Sequence, residues 1–328
     1  MIDLLSYAAF FLTMSLTYAV ICLGLNLQWG QTGLFNVGVA GFVAVGAYVS
    51  AVLTTPPIEG RIGGFDLPIL VGWLGGGLGA GLLCLVIGAL TLRLRSDYLA
   101  IATFGAAVVI QLTVLNLEAM TGGPFGIGFI PRPFGSLQGN TDLFSLANLV
   151  VMIFTVLVCY VVLEHLVRSP WGRVLRALRE DETAARALGK NPVTYRLQAF
   201  AIGGFVMGIG GAAQGHFIGF IAPDNYLPIL TFQVWTMLIV GGSGNMRGAI
   251  LGAVLVWAIW AISGSAISSL FPTDQQARAA SLQIVMIGIA LCVVLLLRPR
   301  GILGEAGTLR RPIAPTAPKI SQGTKTNA

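Results

Sequence analysis

The chain alternates long apolar runs with short polar or glycine-rich breaks. A helix needs ~20 apolar residues to cross a bilayer. Runs of that order fall at Leu4–Leu27, Leu34–Leu53, Leu67–Leu92, Tyr98–Leu117, Phe144–Val167, Leu197–Ile221, Leu227–Val240, Ala249–Leu270 and Ala280–Leu297. The pattern predicts an all-α, polytopic integral membrane protein with about nine spans, the arithmetic tolerating eight to ten. The second run carries Gly38, Gly41 and Gly46 and follows polar Gln28, Gln31 and Thr32 with breakers Gly30 and Gly33. It is predicted either to span or to form a broken or re-entrant segment. Residues 1–304 read as one transmembrane domain. Residues 305–328, rich in Pro, Thr and Lys and without periodicity, read as a disordered tail. Thr54–Asp66 and Thr121–Asp142 are Gly- and Pro-rich loops, and Phe125, Phe129 and Phe134 of the second are expected to be partly buried.

One segment breaks the apolar monotony. Ser169–Tyr195 is the only long charged stretch between two apolar runs. Ser169 suits an N-cap and Pro170 the first helical position. Val174, Leu175 and Leu178 gather on one helical face, and Arg173, Arg176 and Arg179 on another. Asp181 can cap a second short helix in which Glu182 precedes Arg186 by four residues, the favourable order for that ion pair. Gly189 suits a left-handed C′ position, and Pro192 is expected to stop the helix. Two short helices with a bend near Glu180–Asp181 follow, lying on the aqueous side either as a solvated loop or as a docking element.

Composition sharpens the class. Only 10% of the 328 residues are charged and 55% are hydrophobic, where a soluble domain is about a quarter charged. The net charge of +6 does not mark a nucleic-acid binder, because of where it sits. All but three of the 19 Lys and Arg fall on one side of the nine-span topology, leaving Arg61, Arg132 and Arg278 on the other. That asymmetry sets the N-terminus outside and the C-terminus inside. Cys22, Cys84, Cys159 and Cys292 each stand alone in an apolar run and read as small buried hydrophobes. Asp3 and the lack of a basic leader region argue against a cleaved signal peptide. No phosphate loop, metal-ligand spacing or nucleophile–base pair is found, so neither a metal site nor enzymatic activity is expected.

The charged segment resembles a known one. The run ALREDETAARALGKNP, then Tyr195-Arg196-Leu197 and Ala199-Phe200, resembles the cytoplasmic coupling segment of branched-chain amino-acid ABC transporter permeases of the LivM type. Leu92-Arg93-Leu94-Arg95 with Tyr98-Leu99-Ala100, Thr121-Gly122-Gly123, Gly241-Gly242-Ser243-Gly244 with Gly248-Ala249, and Leu297 to Gly304 match in the family's order. The segment Thr32–Ala40 departs, with Asn36 and Val39 where relatives usually carry Ser and His. The resemblance implies a permease subunit of a bacterial ABC importer for Leu, Ile or Val in the inner membrane. It also implies a homologous second permease, two ATP-binding subunits that hold ATP and Mg, and a periplasmic binding protein. This chain itself is expected to carry no cofactor. Arg176, Glu180, Asp181, Ala185 and Gly189 take the ATPase-coupling positions. Relatives that carry urea or short amides, and an ion-coupled secondary transporter using Glu118 and His216, remain as alternatives.

Uncharged polar side chains in lipid usually face a bundle interior or a cavity. Gln31, Thr32, Asn36, Gln214 and Gln233 are therefore expected to line the translocation path, with Gln111, Glu118, His216 and Gln283 as further buried polar positions. Gly204, Gly208, Gly211, Gly215 and Gly219 recur at spacings that let helix backbones approach closely. They are read as helix packing or as a moving seam between subunits.

Overall fold

The computed structural model describes residues 2–58, 60–92, 96–137, 139–271, 275–297 and 301–304. The arginine turn at 93–95, residues 298–300 and the expected disordered tail at 305–328 lie outside the described residues. Helices α1 (Ile2–Asn26), α2 (Val39–Thr54), α3 (Ile69–Thr91), α4 (Ser96–Asn116), α5 (Glu118–Thr121) and α6 (Thr141–Arg168) form the first half. Then come α7 (Pro170–Glu180), α8 (Glu182–Ala187), α9 (Pro192–Ile218), α10 (Pro228–Gly241), α11 (Met246–Leu270) and α12 (Gln276–Leu297). Among the described residues the fold is all-α, with one isolated antiparallel bridge between Ile127 and Ile221. Among the described residues six helices are long and apolar enough to cross a membrane: α1, α3, α4, α6, α9 and α11. Two apolar helices are shorter, α2 at 16 residues and α10 at 14. At 1.5 Å per residue these reach only ~24 and ~21 Å, short of the ~30 Å hydrocarbon core.

The contacts order the two ends of the bundle. Arg179 of α7 bonds the Gly30 carbonyl at the end of α1, Asn26 and Gln31 meet Gly244 beyond α10, and Ile302 bonds Val240. All these belong to the end that carries α7 and α8, the coupling end as the family resemblance implies it. At the opposite end Ser6 bonds Asp142, and His216 bonds Ser50 and Pro131. Described arginines 168–196 and 247 thus lie at one end, and Arg61 and Arg132 at the other.

Helix α9 is the centre, packed against α1, α2 and α3. Its glycines make this possible. A Cβ on Gly208 would lie 2.6 Å from the Ala80 Cβ and 2.7 Å from the Gly76 carbonyl of α3, and Gly46 of α2 abuts the Gly208 backbone. Gly204 meets Cys84 and Ala80, and Gly211 meets the Val43 carbonyl. On the other face Gly203 meets Gly24 of α1, where an added Cβ would stand 2.7 Å from the Gly24 carbonyl. Lipid gives helices no hydrophobic reason to associate, so close van der Waals contact between bare backbones supplies the cohesion. Gly215 packs beside Ile221, and Gly219 ends α9 in the left-handed conformation at φ 78°. These glycines bind helices of one chain.

Several boundaries differ from the sequence reading. Helix α1 does not break at Gln28–Gly33 but continues as a π-helical turn, Leu27–Gln31. The break falls at residues 33–38, ahead of α2. Pro192 does not keep the helix from resuming. It is the first residue of α9, with Asn191 as N-cap accepting from the Val193 amide at 3.1 Å, because a proline costs nothing where the N–H has no helical partner. Phe125 and Phe129 are 87% and 89% exposed, not partly buried. The bridge to Ile221 points Ile127 inward instead, and Ile130 is buried beside it. Cys22, Cys84 and Cys159 are buried, while Cys292 is exposed.

The packing predicts that Gly208→Leu destabilises the fold by at least ~1–3 kcal/mol, the usual range for overpacking. Gly105, with no atom within 4 Å of an added Cβ, should accept Ala with little effect. Thermal unfolding followed by size-exclusion chromatography in detergent separates the two.

Candidate functional site

The coupling end carries two arrangements, one exposed and one buried. The exposed one is α7–α8. Ser169 takes the N-cap position in extended conformation, but its hydroxyl turns back to the Leu166 carbonyl at 2.6 Å. Leu175 and Leu178 are buried, and Gly172 lies against the Val167 carbonyl, so α7 presses flat on the bundle. Asp181 ends α7 and caps α8, accepting from the Ala184 amide at 3.0 Å. Glu182 pairs with Arg186 at 2.5 Å and reaches Arg196 of α9 at 2.8 Å, tying the second short helix to the long one. Gly189 is left-handed at φ 76° with open space around it. Glu180, Asp181 and Gly189 are exposed and Arg176 half-buried, whereas Ala185 is buried, beneath the surface its neighbours present. Leu188 is 80% exposed at the tip.

The buried arrangement lies under α7. Arg179 donates to the Gly30 carbonyl in the π-helical turn. Within that turn Gln28 donates to the Phe200 carbonyl of α9 at 2.8 Å, and its other amide atom accepts from Asn36 at 2.7 Å. Asn36 also accepts from the Gly38 amide at 2.8 Å, while its own carbonyl accepts from the Trp235 indole at 2.9 Å. Thr103 of α4 takes the Val37 amide and Thr231 of α10 the Ala40 amide, both at 3.0 Å. Asn26 holds the Gly244 amide at 2.8 Å, and Gln31 donates to the Gly244 carbonyl at 2.9 Å. Trp29, Phe35 and Trp235 form an aromatic triangle beside this network, with ring centroids 4.9–5.3 Å apart. Side chains from α4, α10 and the break itself therefore satisfy its backbone, and Gln28 fastens it to α9.

The five residues expected along one path do not share a cavity. Gln31, Thr32 and Asn36 belong to the junction just described, where Thr32 bonds the Gln28 carbonyl. Gln214 lies at the far part of α9, donating to the Tyr18 hydroxyl at 3.4 Å, and Gln233 is half-buried on α10. His216 is buried with both ring nitrogens engaged. The Pro131 carbonyl only accepts, so Nδ1 carries the proton, at 2.7 Å, and Nε2 accepts from Ser50 at 3.0 Å. Glu118 is exposed on α5. Among the described residues no group of His, Cys, Asp and Glu is placed to hold a metal.

Residues 7–295 match the family model described as branched-chain amino acid transport system / permease component. The chain belongs to that family. It is 34% identical over 266 residues to the high-affinity branched-chain amino acid transport system permease protein LivM of Salmonella typhimurium, and 35% to that of Escherichia coli. Each match covers 74% of this chain and 60% of the relative, so the chain spans 60% of the length of these two proteins. The LivH permease protein of Escherichia coli is 25% identical over 300 residues, covering 89% of this chain and 93% of its own. No solved structure matches the chain significantly.

Sequence reasoning took Gln28 only as a polar residue after the first apolar run, left Asn26 unremarked inside that run, and counted Arg179 as one of three arginines on one helical face. A signal existed for the first two. Asn26, Gln28 and Gln31 interrupt the end of an apolar run within one and a half turns, too closely spaced for one helical face. For Arg179 no signal was available, because its partner is a carbonyl 149 residues away in sequence. Losing Asn36 would leave the buried Gln28 amide oxygen and the Gly38 amide unpaired, each costing ~1–3 kcal/mol. Asn36→Leu should therefore lower the melting temperature and the yield of folded permease, whereas Gln233→Leu should lower neither. Thermal unfolding of the detergent-solubilised protein measures both.

Proposed function

We propose that the chain is the transmembrane permease subunit of an ABC importer for branched-chain amino acids, and that α7–α8 is where ATP-hydrolysing subunits dock. The single observation that carries this is the form of α7–α8 in a member of this family. One face of the segment is clamped to the bundle by Leu175, Leu178 and Ala185, while Glu180, Asp181, Leu188 and Gly189 stand free at the surface. Leu188, exposed beside the left-handed Gly189, gives this otherwise charged element an apolar contact to bury against a partner.

The LivM and LivH relatives are both permease proteins, which supports pairing with a second, homologous permease. Two ATP-binding subunits with ATP and Mg, and a periplasmic amino-acid-binding protein, complete the assembly in this reading. The basic end bearing α7–α8 faces the cytoplasm of the bacterial inner membrane, and the start of α1 faces the periplasm. Force enters at α7–α8 and leaves by two ties: Glu182 to Arg196 at the base of α9, and Arg179 to the π-helical turn of α1. Helix α9 then moves with the segment as one lever, shifting the path between outward and inward access.

Two variants test the docking surface and the ties separately. Gly189→Val forces a β-branched residue into the left-handed region at a cost of ~1–2 kcal/mol, and should weaken ATPase binding and uptake together. Arg179→Gln should bind the ATPases normally but cut uptake per ATP hydrolysed, by about ten-fold. Uptake and ATPase assays on the reconstituted transporter read both. Normal assembly and transport by Gly189→Val would overturn the docking assignment.

A further inference from the structure

A cavity of about 920 Å³ lies at the end opposite α7–α8, between α1, α6, the end of α9 and the loop before α6. That falls in the range of roughly 300–1,000 Å³ found for small-molecule sites. None of the five residues expected from sequence to line a path borders it. Its walls combine two charges of opposite sign with an apolar surface. Arg132 is held by donating to the Ile218 carbonyl at 2.6 Å. Asp142, in the first turn of α6, accepts from Ser6 of α1. Phe10, Phe144 and Phe217 supply the apolar part.

A second observation points to a ligand. Asn148 also lines this cavity and is only 5% exposed. Its amide nitrogen donates to the Phe144 carbonyl of its own helix at 2.9 Å, but its Oδ1 is buried without a hydrogen-bond partner. Buried polar atoms in native folds are nearly always paired; this one is closed off from the cavity surface as it stands and reaches it by a turn of the side chain.

We propose that this cavity is the entry subsite for a zwitterionic α-amino acid with an apolar side chain. The Arg132 guanidinium receives the carboxylate. The Asp142 carboxylate receives the ammonium group, joined by Asn148 Oδ1 once its side chain turns toward the cavity, and the three phenylalanines receive the aliphatic chain. Arg132 is exposed and Asp142 half-buried, so water screens both charges and they capture the zwitterion without trapping it. The inference rests on the amino-acid importer reading above and names its substrate contacts.

The test uses the transporter assembled with its partner subunits in proteoliposomes. L-leucine uptake is followed alongside photolabelling by a diazirine analogue of leucine, with labelled peptides mapped by mass spectrometry. The wild type should be labelled around Phe10, Phe144 or Phe217, with protection by L-leucine and much weaker protection by 3-methylbutylamine or 4-methylpentanoate, each lacking one charge. Asp142→Asn and Asn148→Leu should each cut labelling and uptake at least ten-fold. Asn148→Leu should leave the melting temperature at or above the wild-type value, since its Oδ1 has no partner to lose. Uptake at the wild-type rate in both variants, or labelling confined to other parts of the chain, would overturn the subsite and leave the importer reading standing. An Asn148→Leu variant whose uptake falls only in proportion to lost folded protein would overturn it too. Failure of the wild type to take up L-leucine would overturn both readings.

Discussion

The structure depends on one constraint: inside a bilayer no backbone N–H or C=O can be left without a partner, since each costs several kcal/mol. A straight helix meets this by itself. The chain departs from a straight helix at residues 33–38, and the rest of the coupling end is arranged around that departure. Asn36 takes the Gly38 amide, Thr103 the Val37 amide and Thr231 the Ala40 amide, so the opening of α2 is capped by side chains from α4, α10 and its own loop. Gln28 links this break to the Phe200 carbonyl of α9. Such irregular backbone is tolerated at membrane depth only where protein encloses it, and Asn36 is fully buried.

The second organising interaction is close backbone contact. Gly24 with Gly203, and Gly46 with Gly208 and Gly76, bring α1, α2 and α3 onto α9 without intervening side chains. Helix α9, 27 residues long, runs about 40 Å from the α7–α8 end to the far end of the bundle. The π-helical turn at the end of α1 receives Arg179, and such turns recur at functional sites. In the importer reading the ties from α7–α8 thus enter both α9 and α1.

The far end is built differently. It holds a cavity walled by Arg132, Asp142 and three phenylalanines, beside a loop that hangs on the Ile127–Ile221 bridge, the Ile130–Gly219 bond and the His216–Pro131 bond. A few backbone bonds hold the loop, while Phe125 and Phe129 project outward from it. That leaves two exposed aromatic rings on the face where, in the importer reading, a substrate-delivering protein arrives.

What the sequence determined by itself was whatever depends on local composition. Apolar run length gave the all-α membrane class and the places of the helices. Capping chemistry gave the two short helices with their bend at Asp181 and the left-handed Gly189, because a cap is decided within four or five residues. The resemblance at α7–α8 and along the chain anticipated the family. Tertiary structure alone decided the polar contacts that link distant parts of the chain. Whether Asn36 faced a path or a junction turned on Gln28, Gly38 and Trp235 converging on it, the last 199 residues away. Arg179 and Arg176 look alike in sequence, yet only the fold brings the Gly30 carbonyl to Arg179. Arg132, Asp142 and Asn148 were unremarkable in a loop and in the opening turns of a helix. They became a candidate site only when α1, α6 and α9 enclosed a common space, because a cavity is a property of the surfaces that surround it.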